Sequence, residues 1–228
     1  MNEDLLRNLF KYFNKFMVML WRLGLGKFLN IWPKVFGCFL VITHYGRKTR
    51  NKYLTPVNFS TVDGEIYCTS GFGEQSDWYK NLVRHPEIEV WLTEGWWRAQ
   101  AVDVSDHPDR LDIMREVLIG SGFAAPMFGI HPLTMDNATL SEMTKEYRLI
   151  RINRIAEKTG NDGPGEYVWF WQITTAFLFF LLLTKNGENK TMLRSQLLEA
   201  LSKYILEKSR DHPIRVAIDG LDNAGKSK

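Results

Sequence analysis

Between Thr43 and Leu82 the chain gathers, within about forty residues, side chains suited to holding a flat, anionic molecule. Gly46 permits a tight turn in which Arg47 and Lys48 can converge on one anion, with Arg50 and Lys52 close behind. Pro56 has no N–H to give a sheet, so it belongs at an edge or a bulge. Ser70-Gly71-Phe72-Gly73 offers backbone amides and a hydroxyl, useful for a phosphate or the carbonyl edge of a planar ring. Trp78, Tyr79 and Asn81 then open a helix whose N-terminus attracts anions. Taken singly, these pieces read as an exposed basic hairpin and ordinary turn glycines. Their clustering is what points to a site.

A second motif stands at the C-terminus. Gly220-Leu221-Asp222-Asn223-Ala224-Gly225-Lys226-Ser227 matches a phosphate-binding loop, with Ile214–Asp219 as the strand before it. Such a loop works because a helix starts at the Lys-Ser and aims its N–H groups at the phosphates, yet only Lys228 follows here. Nucleotide binding by this tail is therefore not expected. No cluster with metal-ligand spacing is evident, and no metal is expected. Cys38 and Cys68 lack metal-ligand or CxxC spacing and read as small buried hydrophobes in a reducing compartment.

The elements that must position the first cluster follow from periodicity. Residues 4–22 carry Leu5, Leu6, Leu9, Phe13, Phe16, Met17, Leu20 and Trp21 at helical spacing, with Arg7, Lys11, Lys15 and Arg22 between them. That is an amphipathic basic helix, packed on its own domain or lying on a membrane. Short β-rich runs follow at Val35–Thr43, Tyr53–Phe59, Glu65–Thr69, Glu87–Leu92, Trp96–Val104 and Glu146–Ile155. Asp63-Gly64 and Glu94-Gly95 read as hairpin turns, and helical patterns return at Asp77–Arg84 and Pro108–Ile119. Five or six short strands with few helices predict a small, partly open barrel.

Asn161–Glu166 reads as a linker. Val168–Leu183 is almost continuously apolar, a candidate membrane-spanning or membrane-dipping segment, or else a buried helix. Thr191–Lys208 reads as an amphipathic helix. The expected organisation is a helical arm over 1–34, a barrel over 35–160, a linker over 161–167, an apolar segment over 168–184 and a truncated phosphate-loop region over 191–228.

Charge adds a partner class. The net charge is +3, but residues 1–50 carry nine Lys/Arg against only Glu3 and Asp4. A basic, aromatic-rich arm suits an anionic membrane surface or an anionic ligand rather than nucleic acid. No signal peptide is evident, because Arg and Lys break the early apolar run and no small-residue cleavage site follows.

The run from Thr43 through Val90 resembles the deazaflavin-dependent nitroreductase family. It shares that family's Gly-Arg-Lys-Thr turn (46–49), its Thr55-Pro56, its glycine loop at Ser70–Gly73 and its Trp78-Tyr79-Lys80-Asn81-Leu82 helix followed by Pro86 and Val90. The resemblance covers roughly residues 20–169 and implies a mainly β, α+β fold: a split β-barrel of the FMN-binding, flavin-reductase type. It implies coenzyme F-420, a reduced 8-hydroxy-5-deazaflavin, as hydride donor, with FMN as the alternative. Quinones, nitroaromatics and similar conjugated molecules would be the acceptors.

Carried over by position, Arg47 and Lys48 would hold the cofactor's phosphate or acidic tail, and Thr55 and Pro56 would shape the channel. Ser70, Gly71 and Gly73 would contact the ring or ribityl chain, and Trp78 and Asn81 would buttress the site. No strong catalytic acid is evident, and Tyr79 and His131 are the candidates for protonating an acceptor. Phe123–His131 is a candidate apolar lid on the acceptor side, or core. The chain departs from the family pattern at Arg50, where a Gly is usual, around Tyr53, at Phe72 and at Asp77. The tail resembles the opening of uridine-kinase-like kinases, cut short. The expectation is a cytoplasmic, membrane-associated oxidoreductase, with a homodimer as one option for its assembly. Its rival is a membrane-peripheral, non-catalytic cofactor-binding protein.

Overall fold

Six short strands alternate residues between two packed faces, and hydrogen-bonded pairing of the first strand with the fourth closes them into a barrel. The computed structural model describes residues 3–31, 36–185 and 194–208. Its strands are β1 (Phe39–Tyr45), β2 (Lys52–Val62), β3 (Glu65–Ser70), β4 (Glu87–Leu92), β5 (Gly95–Asp103) and β6 (Arg148–Glu157). They pair antiparallel in the order β1-β2-β3-β6-β5-β4, and β4 returns to β1 through Val41↔Trp91, Ile42↔Val90 and Thr43↔Glu89. The barrel is thus closed rather than partly open as expected. Pairing between β1 and β4 spans more than forty residues of sequence and leaves no local signal.

Turn chemistry fixes the register. Val62 pairs with Glu65, so Asp63-Gly64 is a two-residue turn, and both residues have positive φ (52° and 82°) as such hairpins require. The second hairpin turns on Thr93-Glu94, because Gly95 already pairs with Leu92. β1 starts at Phe39, four residues later than its expected start, after Gly37 takes a left-handed φ of 83°.

Both barrel faces are packed. Leu40, Ile42, Val90, Leu92, Ile150 and Ile152 belong to one interior cluster. Their neighbours Val41 and Trp91 join a second cluster with Trp21 and Trp96, under α1 (Glu3–Arg22). Leu149 and Tyr67 join a third cluster with residues of α4 (Arg110–Gly120) and α6 (Asn137–Met143). The alternation explains why β1 is buried almost throughout although its residues face two ways.

Further α-helices among the described residues of this unit are α2 (Gly26–Leu29), α3 (Asp77–Arg84) and α5 (Ala124–Met127). Helix α6 was not expected from periodicity; Asp136 caps it by accepting from the Thr139 N–H at 2.9 Å.

The segment expected to be a linker is tied down. Gly165 N–H donates to the Trp21 carbonyl at 2.9 Å and Tyr167 N–H to the Arg22 carbonyl at 2.8 Å. Arg22 reaches Asp162 at 2.8 Å and the Tyr167 hydroxyl at 2.8 Å, and Lys52 also bonds Asp162. Residues 161–167 therefore form a strap joining the end of α1 to the start of β2.

The described residues fall into two compact units, one ending at Phe170 and one starting at Trp171. The expected apolar segment 168–184 forms α7 (Trp169–Lys185), all but its first two residues in the second unit, and α8 (Arg194–Lys208) follows in that unit. Seventeen residues make a helix of about 25 Å. Among the described residues no helix is long and apolar enough to cross a membrane, so the spanning reading of 168–184 is corrected. The expected strand Ile214–Asp219 and the loop Gly220–Ser227 lie outside the described residues.

Candidate functional site

Strand alternation brings a histidine to the barrel's end. Leu40 and Ile42 face the interior, and His44 follows them in phase, 3% exposed. Helix α3 packs against the same interior cluster through Tyr79 and Leu82, and this brings Asn81 against His44. The Asn81 Nδ2 lies 3.2 Å from His44 Nδ1, and His44 Nε2 lies 3.0 Å from the Thr55 hydroxyl. Burial pushes the His44 pKa down to about 4, so the ring is neutral at ordinary pH. With Nδ1 accepting from Asn81, the ring proton sits on Nε2 and is donated to Thr55, a tautomer assigned from the network.

That arrangement fixes the other end of Asn81. Its Oδ1 accepts from the Arg47 backbone N–H at 3.0 Å and from Arg47 Nη1 at 3.2 Å. Arg47 Nη1 also donates to Asp77 Oδ1 at 3.0 Å. A continuous hydrogen-bonded chain therefore runs Thr55–His44–Asn81–Arg47–Asp77, from the barrel interior to its surface.

The turn carrying Arg47 closes on itself through Gly46 N–H to the Asn51 carbonyl and Arg50 N–H to the Gly46 carbonyl, both 2.9 Å. A Cβ on Gly46 would come within 2.7 Å of the Thr49 hydroxyl oxygen, so close approach demands the glycine. Arg50 adopts φ 60°, a left-handed conformation that favours glycine and that a side chain rarely takes. The Tyr53 ring stacks on His44, with centroids 5.8 Å apart. Lys48 is exposed and makes no ion pair among the described residues, so its charge is available to a ligand.

The other expected residues divide. Pro56 lies opposite Val41, in the part of β2 before its pairing with β3 begins at Phe59, so its missing N–H costs no ladder bond on that side. Ser70 is buried, and its hydroxyl is 2.9 Å from the Gly73 carbonyl and 2.7 Å from the Ser76 hydroxyl. Its hydrogen-bonding capacity is spent inside the loop, where Ser76 immediately precedes α3. Gly73 has φ 53°, and a Cβ there would sit 2.1 Å from the Glu146 carbonyl oxygen. Gly71 is exposed beside the Tyr147 ring, and Trp78 is half-buried against the interior cluster.

The candidate acids stand apart from this network. Tyr79 donates its hydroxyl proton to Asp103, and burial with that bond pushes its pKa up. Burial works against the Asp103 carboxylate, but hydrogen bonds from Ser105 and Tyr79 outweigh it and hold its pKa low. His131 is exposed in the loop after α5. Phe72 meets Phe128 edge-on at 6.3 Å, which connects the glycine loop to the apolar segment Phe123–His131.

Sequence reasoning missed His44 and the Asp77–Arg47 pair. The signal for His44 was its phase, since it continues the inward positions 40 and 42 immediately before the glycine turn. Two surface cavities of about 370 and 490 Å³ lie elsewhere, lined respectively by residues such as Cys38 and Arg154, and Tyr67 and Asp112. Neither includes a residue of the Gly46–Arg50 turn. Among the described residues no group of acidic, His or Cys side chains could hold a metal ion.

Comparison with known proteins gives one family. The model of the family F420H(2)-dependent quinone reductase matches residues 23–119, which span β1 to α4 and include the whole hydrogen-bonded chain. No curated protein matches. Among solved structures, a conserved hypothetical protein from Mycobacterium tuberculosis is 16% identical over 57% of this chain and 79% of that one, with a TM-score of 0.37. A putative pyridoxamine 5'-phosphate oxidase from Listeria innocua is 12% identical over 53% and 86%, also at 0.37. A third, described as an F420-H2 dependent reductase, is 15% identical over 50% and 93%, at 0.36.

Proposed function

We propose that the barrel binds coenzyme F-420 and that the chain is an oxidoreductase passing a hydride from the reduced deazaflavin to a conjugated acceptor, a quinone in the first place. The observation that carries this reading is the anchored Arg47: a cation fixed through backbone and side chain to Asn81, beside an exposed Lys48 without an ion pair among the described residues. It coincides with the family match over residues 23–119, in a family named for that donor and that acceptor.

The residues fit the anionic part of such a cofactor. Arg47 presents a planar donor set held in one orientation, and Lys48 adds a mobile point charge. Asn81 and His44 position Arg47; Thr55 and Pro56 belong to the strand behind it, and Gly71 leaves an exposed point of the neighbouring loop without a Cβ. Ser70 holds that loop, and Trp78 supports α3 against the core. When bound, the reduced deazaflavin supplies the hydride. The chain contributes binding and orientation; Tyr79 commits its own proton to Asp103, so the acceptor's proton would come from solvent. Phe123, Met127 and Phe128 offer the exposed apolar surface on which a conjugated acceptor can lie.

Titration of the full chain with reduced deazaflavin, FMN and NADPH, followed by oxidation with a menaquinone analogue, tests this. Deazaflavin should bind and be oxidised only when acceptor is added. Arg47→Glu with Lys48→Glu should weaken binding by about a hundredfold, since two charge-assisted contacts are lost. Asp77→Asn should tighten it by about threefold, because an exposed competitor for Arg47 is removed. Binding of FMN without deazaflavin, or equal binding by the double variant, would overturn the assignment.

A further inference from the structure

One face of the first two helices is left uncovered by the barrel. Met17 and Trp21 turn inward and are buried, and Phe13 meets Phe39 edge-on at 6.3 Å. Tyr12, Phe16 and Met19, at i, i+4 and i+7, form an outward stripe exposed by 70%, 59% and 47%. Phe28 and Ile31 add exposed apolar area in and just after α2. Lys11 and Lys15, one turn apart, flank the stripe, and Lys27 is exposed in α2.

Charge narrows what can cover this face. Residues 5–62 contain ten Lys/Arg and no Asp or Glu. A second copy would bring Lys11 and Lys15 against their equivalents, and like charges juxtaposed across an interface oppose association. We infer that this face docks on an anionic lipid bilayer, with Tyr12, Phe16, Met19 and Phe28 entering the headgroup boundary and the lysines bound to lipid phosphates. The residue types match that environment. Aromatic rings settle at the boundary, and lysine stems lie along apolar surface while their ammonium groups stay wet. The cations add an electrostatic attraction that salt screens. Arg22, at the end of α1, and Lys52, at the start of β2, share Asp162, so the docking helix is joined through one carboxylate to the hairpin that carries Arg47. The inference stands independently of the cofactor assignment.

The experiment is flotation of the full chain with vesicles of phosphatidylcholine mixed with phosphatidylglycerol, against phosphatidylcholine alone. The protein should float with the anionic vesicles and be released as salt is raised. Lys11→Glu with Lys15→Glu should weaken partitioning about thirtyfold or more, and Tyr12→Ser with Phe16→Ser should weaken it too. Thermal melts should leave both variants folded, since every altered side chain is exposed, and α7 is unchanged in both. Failure of the wild-type chain to float with anionic vesicles overturns the inference. So does equal flotation by both variants, or a lipid-free dimer that the same substitutions dissolve.

Discussion

His44 is a polar side chain in an apolar phase, and the hydrogen bonds it makes explain its place there. Burial alone disfavours its protonated form, and acceptance of the Asn81 N–H requires the neutral one. The sign of the pH effect follows. A pKa of about 4 in the folded chain against about 6.5 unfolded means that the unfolded state takes up the proton first. Stability is therefore unaffected above about pH 6.5 and falls as pH drops toward 4, by roughly 3 kcal/mol in all. An imidazolium has no lone pair for Asn81, so the same proton releases the amide that holds Arg47. His44→Asn keeps an acceptor for Asn81 without a group that titrates in this window. Denaturant titrations of both proteins at about pH 7.5 and pH 4.5 should show the wild-type chain losing more stability than the variant. An equal loss in both would place the acid sensitivity elsewhere.

At the scale of elements, α3 and the strap do the positioning. Helix α3 seats Tyr79 and Leu82 in the barrel interior, which sets Asn81 at the one height where it can reach both His44 and Arg47. The strap is held from both sides: Asp162 joins Arg22 to Lys52, and Gly163 lies flat on Trp96, where a Cβ would come within 2.5 Å of the ring. Gly163→Ala should therefore destabilise the fold by about 1–3 kcal/mol through overpacking, read as a lowered Tm. An unchanged Tm would mean that the strap rides loosely on the barrel. Much of this element order was legible: strand period, the Asp63-Gly64 turn and the Asp77–Arg84 helix are written locally. The closure of β1 on β4, the docking of 161–167 and the His44–Asn81 contact were not, because each joins residues far apart in sequence through geometry that no local pattern encodes. The Ser70 hydroxyl is a local case: its partners Gly73 and Ser76 lie three and six residues away, but the contacts form only once the glycine loop takes its shape.

Across the whole molecule the informative quantity is where charge lies, not its sum. A net charge of +3 is unremarkable, yet the acid-free stretch 5–62 concentrates ten cations on α1, α2 and the β1–β2 hairpin and on the residues between them. The acids that answer them come from later in the chain, Asp77 for Arg47, Asp162 for Arg22, and Asp162 and Glu89 for Lys52, and Lys48 is left without one among the described residues. A deazaflavin carrying a phosphate and an acidic tail would meet an unbalanced positive field at this hairpin, and its capture would gain from long-range attraction as well as contact. Such attraction is screened over about 10 Å at 0.1 M salt and about 3 Å at 1 M. Deazaflavin affinity should therefore fall steadily with ionic strength, while the KM for a neutral quinone stays flat, and Lys48→Met should reduce the salt slope. Arg47, held by Asn81 and partly offset by Asp77, should govern contact more than field, so Arg47→Met should lower affinity at every salt concentration. A salt-independent affinity in the wild-type chain would mean that the cofactor is gripped by its ring, and that the basic hairpin serves another ligand.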